Sequence, residues 1–234
     1  MNSVSGIENL LERGLAKGAA AMGISLLPAQ LGQLRAYLDL IQKWNKVYNL
    51  TAVRDPNEMV THHLLDSLAV IAPLRRQLAG MAYRHDGEDQ PQATGPPFRL
   101  LDVGSGAGLP GIVIAICCPE VSVDCVDTVA KKAAFINQVA VALKLPNLRS
   151  IHARVENLTD KYDVISSRAF ASLPDFTAWS YGALKEGGVW LAMKGQHPQT
   201  EIDSLPAELR VFHVEQLTVP GLDAQRCIVW MRQA

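Results

Sequence analysis

Apolar positions along this chain follow two different rhythms, separated by a stretch with no rhythm. In the first part they recur at helical spacing. Leu10, Leu11 and Leu15 sit among alanines and charges in a loosely amphipathic helix, expected to end near Gly23. Leu34, Leu38 and Ile41, with Tyr37, Trp44 and Tyr48 beside them, predict a second helix from about Ala29 to Val47, the aromatics serving chiefly as core. Asp55-Pro56-Asn57-Glu58 is a helix start: Asp55 can cap, Pro56 suits the first helical position, and Glu58 can reach back. The helix then runs through Met59, His63, Leu64, Ser67, Leu68 and Ile71, and Asp66, three residues after His63, shares its face, so the two can pair, as a structural contact more often than as chemistry. Between Ala79 and Phe98 the composition turns polar and proline-rich (His85 to Pro91, Thr94 to Pro97), which reads as a surface insertion or linker.

From residue 99 short apolar runs alternate with helical stretches. Strands are expected around Leu100 to Val103, Val121 to Val126, Leu148 to His152, Tyr162 to Ile165 and Val189 to Met193. Between them lie helices at Ile112 to Ile116, at Val129 to Leu143 and at about Leu173 to Leu184. Arg210 to Glu215 and Arg226 to Met231 pair across a turn holding Pro220-Gly221. Alternating strands and helices that end in an antiparallel pair predict the α/β class, a Rossmann-like, seven-stranded, mostly parallel sheet with helices on both faces. The organisation expected is a helical cap or extension at 1–79, a linker at 80–98 and the α/β core at 99–234.

Composition narrows the setting. A chain of 234 residues, 48% of them hydrophobic, can bury one good core. The net charge of −1 provides no global basic field, so any RNA contact must come from local patches. Cys117, Cys118, Cys125 and Cys227 show no C-x-x-C spacing and read as reduced core residues. Glu8, Glu12 and Arg13 stand where a signal peptide needs an apolar run, and no segment reaches the ~20 apolar residues of a membrane span. A soluble, cytoplasmic protein is expected, with no membrane partner, no metal site and a monomeric state.

The chemistry concentrates in Arg99 to Gly111, RLLDVGSGAGLPG: a strand, then a loop whose glycines let a ligand approach the backbone, then a helix with Pro110 in its first turn. Gly106 to Gly111 also satisfies G-x-G-x-x-G, a weak dinucleotide signature. In the dinucleotide fold the first glycine directly follows the strand; here Asp102-Val103 ends it and Gly104 follows, giving D-V-G-x-G-x-G. This acid-then-glycine pattern resembles the first motif of Rossmann-like S-adenosylmethionine-dependent methyltransferases. An acidic strand end suits a ligand with an ammonium and a sulfonium and repels pyrophosphate. Asp127, ending the second strand about 20 residues on, is placed to accept from ribose hydroxyls or to cap the next helix. Ala153 to Glu156 follows the third strand, where adenine could be read, and Arg168 follows the fourth, at the edge where open α/β sheets bind ligands. Lys131 and Lys132 are left to solvent or phosphate.

Taken together the motifs resemble the bacterial glucose-inhibited division protein B family, guanine-N7 methyltransferases of small-subunit (16S) ribosomal RNA, over about Gly23 to Met231. The matching stretches are W-N-K-x-Y-N-L-T at Trp44 to Thr51, H-x-x-D-S at His63 to Ser67 and D-V-G-S-G-A-G-L-P-G at Asp102 to Gly111. R-V-E at Arg154 to Glu156, S-R-A-F-A-S-L at Ser167 to Leu173 and Lys194-Gly195 complete them. The resemblance implies S-adenosylmethionine as cofactor and 16S rRNA or the small ribosomal subunit as partner. It also implies cofactor contacts from Gly104, Leu109, Val155, Glu156 and Arg168, with Asp127 as the ribose acid. Asp102, Gly106 and Gly108 join them from the loop pattern. Two departures are visible: the 80–97 insertion looks longer than is usual for the family, and His62 stands where an arginine is often found.

Methyl transfer to an exocyclic amine goes with (Asp/Asn)-Pro-Pro-aromatic after the fourth strand, where this chain has Ser166-Ser167-Arg168-Ala169. Carbon methylation wants a nucleophilic cysteine near the base, and Cys117-Cys118 lie in the wrong helix. Guanine N7 has an in-plane lone pair and no proton, so its attack needs no general base. Arg168 is therefore expected to bridge cofactor and base by positioning. Lys43, Lys46, Arg54, His62 and His63, near Trp44 and Tyr48, together with Lys194, are the expected RNA-facing bases. The alternative of another class is a non-catalytic RNA-binding or regulatory protein that kept the fold; a dehydrogenase comes third.

Overall fold

The computed structural model describes residues 2–85 and 98–234, so residues 86–97 of the expected linker at 80–98 lie outside the described residues. Helix α1 (Asn2–Ala21) ends as the sequence suggests. Gly23 takes φ +72° and the Ile24 N–H returns to the Ala19 carbonyl at 2.9 Å, a left-handed glycine stop. In α2 (Pro28–Tyr48) the Gln30 side chain accepts from the Leu27 N–H, and Leu34, Tyr37, Leu38 and Ile41 form the buried stripe. Asp55 caps α3 (Pro56–Met59), accepting from the Asn57 and Glu58 N–H groups at 2.8 and 3.1 Å. The chain then widens into a π-helical segment, Val60–Leu65, and closes with α4 (Asp66–Leu68).

Helix α5 (Ile71–His85) corrects the expected boundary between residues 79 and 80. Leu74, Leu78 and Met81 are all buried, so the apolar spacing continues beyond Ala79 and carries the helix into the polar stretch.

The remainder winds as β1 (Phe98–Val103), α6 (Gly111–Cys117), β2 (Val121–Asp127), α7 (Ala130–Ala142), β3 (Leu148–His152), β4 (Tyr162–Arg168), α8 (Leu173–Ser180), β5 (Leu184–Lys194), α9 (Gln199–Asp203), β6 (Leu209–Leu217) and β7 (Arg226–Gln233). The seven strands form one sheet in the order β3-β2-β1-β4-β5-β7-β6, parallel except for β7, which runs antiparallel to both neighbours. This is the expected sheet. The N-terminal helices share one continuous core with α6, α7 and a sheet face, through Leu38, Leu64, Ile112 and Ile136 among others. Leu173 and Phe176 of α8 pack with Leu101, Ile165 and Trp190 in a second cluster. Among the described residues no helix is long and apolar enough to cross a membrane.

Beneath the strands Asp124, almost fully buried, gathers Arg149 (Nε at 2.9 Å, Nη2 at 2.6 Å), the Tyr162 hydroxyl at 2.7 Å and Arg99 at 3.2 Å. Asp160 bridges the two arginines from outside. A charge this deeply buried is tolerable only with such partners. Half of the Arg149 side chain remains exposed and can rehydrate, which limits the cost of losing the carboxylate. Asp124→Ala should therefore lower the unfolding free energy by about 2–3 kcal/mol. Urea titration reads this directly, and an unshifted midpoint would show that the network adds nothing to stability.

Candidate active site

Parallel pairing brings the C-terminal ends of β1, β2, β4 and β5 to one edge, so Gly104, Asp127, Arg168 and Lys194 open onto the same crevice. The glycine loop is bonded down onto that edge. Gly104 N–H donates to the Val126 carbonyl at 2.9 Å, the Ser105 hydroxyl to the Asp102 carbonyl at 2.7 Å, and the Gly108 and Leu109 N–H groups to the Ser105 carbonyl. A Cβ at Gly108 (φ +86°) would overlap the Ile112 side chain, so this glycine closes the loop against α6 and does not line the crevice. Gly104 (φ +65°) is also crowded, by the Phe170 ring lying against it. Pro110 is the N-cap of α6, one position before the first turn where it was expected.

Asp102 does not face a ligand. Its side chain is fully buried and accepts from the Gly111 N–H at 3.0 Å and the Ser166 hydroxyl at 2.9 Å. Burial pushes its carboxyl up to about 6, against the hydrogen bonds that favour the carboxylate. The expectation that it meets a cofactor ammonium is corrected: the residue braces the loop from below, because its strand position points it inward. Tyr37 braces the loop from the side. Its hydroxyl reaches from α2 to the Ala107 carbonyl at 2.6 Å, and its ring packs on Phe135 of α7. Its apolar spacing predicts core; the polar end of the ring has no sequence signal.

Two chambers share Gly104 and Ala169. The first, about 420 Å³, is walled by Val103, Val126, Val155 and Phe170, with Asp127, Thr128, Lys132, Glu156 and Trp179 at its polar rim. Asp127 accepts from the Gly106 N–H at 3.0 Å and the Val129 N–H at 2.8 Å, with Lys132 Nζ 3.7 Å away. Asp127 thus turns the chain into α7 and also lines the chamber with lone pairs to spare. The second, about 480 Å³, is lined by Gly106, Leu109, Thr51, His62, His63, Asp66, Arg168, Lys194 and Arg226. Volumes of this size accept small molecules.

His63 does not pair with Asp66. Its Nε2 lies 2.9 Å from the Thr51 hydroxyl, and the π-helical segment redirects the neighbouring backbone: the Asp66 N–H reaches the Thr61 and His63 carbonyls. That leaves the His62 carbonyl to accept from Arg168 Nη1 at 2.9 Å, and Asp66 to accept from Arg168 and Arg226. Burial, and then the Arg168 charge, lower His63 to about 4, so it is neutral at pH 7. A neutral, buried ring is no phosphate contact, which corrects its expected RNA role. Lys194 lines the second chamber with its ammonium bonded to the Ala171 carbonyl and both Glu201 oxygens. Lys43, Lys46 and Arg54 are exposed on the end of α2 and the turns after it, where Trp44 and Tyr48 pack at 5.0 Å, and His62 is exposed on the π-helical segment. Cys117 and Cys118 are pushed up to about 12 and 11 by burial, which leaves no thiolate for a carbon-methylating role.

Sequence reasoning missed Arg226, Phe170 and Trp179, and left Lys132, which the structure sets beside Asp127, to solvent or phosphate. Arg226 opens an antiparallel strand, and only the sheet order reveals that this start lies beside the end of β5. Phe170 stands just past Arg168 inside an expected motif and could have been named from that adjacency.

Comparison with known proteins agrees with this geometry. A family model described as rRNA small subunit methyltransferase G matches residues 30–229. The protein named ribosomal RNA small subunit methyltransferase G of Paracidovorax citrulli is 65% identical over 224 residues, spanning 95% of this chain and 90% of that protein. The protein of the same name from Polaromonas naphthalenivorans is 60% identical over 225 residues, 96% of this chain and 97% of its own. Among solved structures, TrmN from Thermus thermophilus superposes with a TM-score of 0.50 at 18% identity, covering 60% of this chain and 45% of that one. A mutant form of the 16S rRNA (adenine(1408)-N(1))-methyltransferase from Catenulisporales acidiphilia gives 0.50 at 17%, covering 60% and 86%. These two likenesses speak for the shared fold, that of class I methyltransferases. With a family model spanning most of its length and relatives at this identity, the chain belongs to the rRNA small subunit methyltransferase G family.

Proposed function

We propose that this protein transfers a methyl group from S-adenosylmethionine to N7 of a guanine in 16S ribosomal RNA, acting in the cytoplasm on the RNA or on the small ribosomal subunit. Bound in the crevice, the cofactor would supply an electrophilic methyl on a sulfonium. The first chamber offers the adenosine end apolar walls at Val103, Val126 and Val155, with ribose acceptors at Asp127 and Glu156. Gly104, Gly106 and Leu109 lead from there into the second chamber, where Arg168 forms part of the wall.

The observation that carries N7 is the state of the acids and bases around the second chamber. Asp66 has an arginine on each oxygen, His63 is buried and neutral, and Asp102 is sealed beneath the loop. None of these is poised to remove a proton from a nucleophile. Guanine N7 carries none: its lone pair would take the electrophilic methyl supplied by the bound sulfonium, with the C–S electrons left on sulfur and the positive charge on the methylated guanine, and no base from the chain would be needed. What the chain must supply is alignment, which in favourable intramolecular cases is worth up to ~7–11 kcal/mol.

Mass-spectrometric mapping of small-subunit rRNA lacking this modification, after incubation with protein and labelled S-adenosylmethionine, should show one new 7-methylguanosine. Cofactor binding without transfer to RNA or subunits would favour the non-catalytic reading. The exposed Lys43, Lys46 and Arg54 should contribute to RNA affinity through phosphates. Each replacement by Gln should flatten the log Kd against log salt slope by roughly 0.7–0.9, and an unchanged slope in the triple variant would place the RNA elsewhere.

His63 generates a pH dependence of definite sign. Its folded value of about 4 lies below the unfolded 6.5, so the unfolded chain binds more protons between them and stability falls as pH drops through that window. Asp102 works oppositely, because its raised value lets the folded state gain protons below about 6. His63→Gln should therefore lose less stability than wild type on going from pH 7 to 5. Parallel stability curves would mean that His63 is not held neutral.

A further inference from the structure

Two arginines converge on one buried carboxylate in the wall of the second chamber. Asp66, 3% exposed, accepts from Arg168 Nη1 at 2.9 Å on one oxygen and from Arg226 Nε at 2.8 Å on the other. Arg168 is gripped a second time by the His62 carbonyl, and Arg226 by the Gln225 carbonyl at 2.8 Å. The three side chains come from α4, the end of β4 and the start of β7, and all three line the chamber. About a fifth of each arginine side chain remains open.

A clasp that served only to hold the helices on the sheet would be complete with one arginine and one carboxylate. Here Arg226 occupies the second oxygen, so the carboxylate has no free rotation and the Arg168 guanidinium has one orientation. The set also carries one positive charge in excess, at a wall the substrates must touch. Ordering a long side chain during folding removes that ordering from the binding step.

Resting on the methyltransferase reading above, we propose that Asp66 and Arg226 are positioning residues: Arg226 fixes Asp66, and Asp66 holds Arg168 in the orientation that meets cofactor and base. Neither Asp66 nor Arg226 is required to touch the reacting atoms. Their effect passes through Arg168.

The test is a double-mutant cycle read by calorimetric titration of S-adenosylmethionine and S-adenosylhomocysteine, with thermal melts as the check on folding. Asp66→Asn keeps the shape and removes the charge. It should weaken both ligands about tenfold, within the range for members of one ion-pair network, and Arg168→Ala should weaken them at least as much. In the Arg168→Ala background Asp66→Asn should cost nothing further, because the residue it acts through is gone. Arg226→Gln should show the same dependence with a smaller effect and carries the test if Asp66→Asn fails to fold. Wild-type affinity in Asp66→Asn, or effects that simply add in the double variant, would assign the clasp to structure alone and overturn the proposal. A wild-type protein that binds neither ligand would instead defeat the methyltransferase reading, and this inference with it.

Discussion

The structure depends on how a glycine loop is kept in place on the edge of a parallel sheet. Such a loop has little side-chain mass of its own to pack, so its position must come from hydrogen bonds made underneath and beside it. Asp102 provides the support from below, tying the first residue of α6 to a hydroxyl on β4, and Ser105 and Val126 fix the loop's own backbone. Everything that faces the crevice, from Asp127 to Arg168, is placed relative to that loop.

The same support explains why the sequence pattern misassigns an acid. The D-V-G pattern locates the strand end correctly, and the alternation of a buried parallel strand says nothing about which face holds the ligand, since both faces are covered. Asp102 points inward, whereas Asp127, with a similar position on β2, lines the chamber. The mostly parallel seven-stranded sheet with its terminal antiparallel pair, the helix stop at Gly23, the helix start at Asp55 and the cluster of strand-end residues were legible, because each has a local cause in glycine geometry, capping or apolar spacing.

What could not be read was contact between distant segments. His63 and Asp66 have the spacing of a helical pair, but a π-helical segment and two arginines from 102 and 160 residues away claim Asp66 instead. Lys194 looked like a free cation because Glu201, seven residues on, gave no sign that the chain would turn back in α9. Composition changes at residue 79 while α5, with Leu78 and Met81 buried, runs on to His85, because composition follows solvent exposure and a helix follows its buried stripe.

One hydrogen bond alters how the two halves of the chain should be regarded. The Tyr37 hydroxyl, carried on a helix that precedes the sheet, ends on the carbonyl of Ala107 in the ligand-binding loop. The helical region is thus not an accessory attached to a self-sufficient catalytic core. Exchanging it for the N-terminal region of another protein on the same sheet would remove a support of the loop along with the surface these helices present. In this architecture the helical region and the glycine loop are inherited together, as one unit.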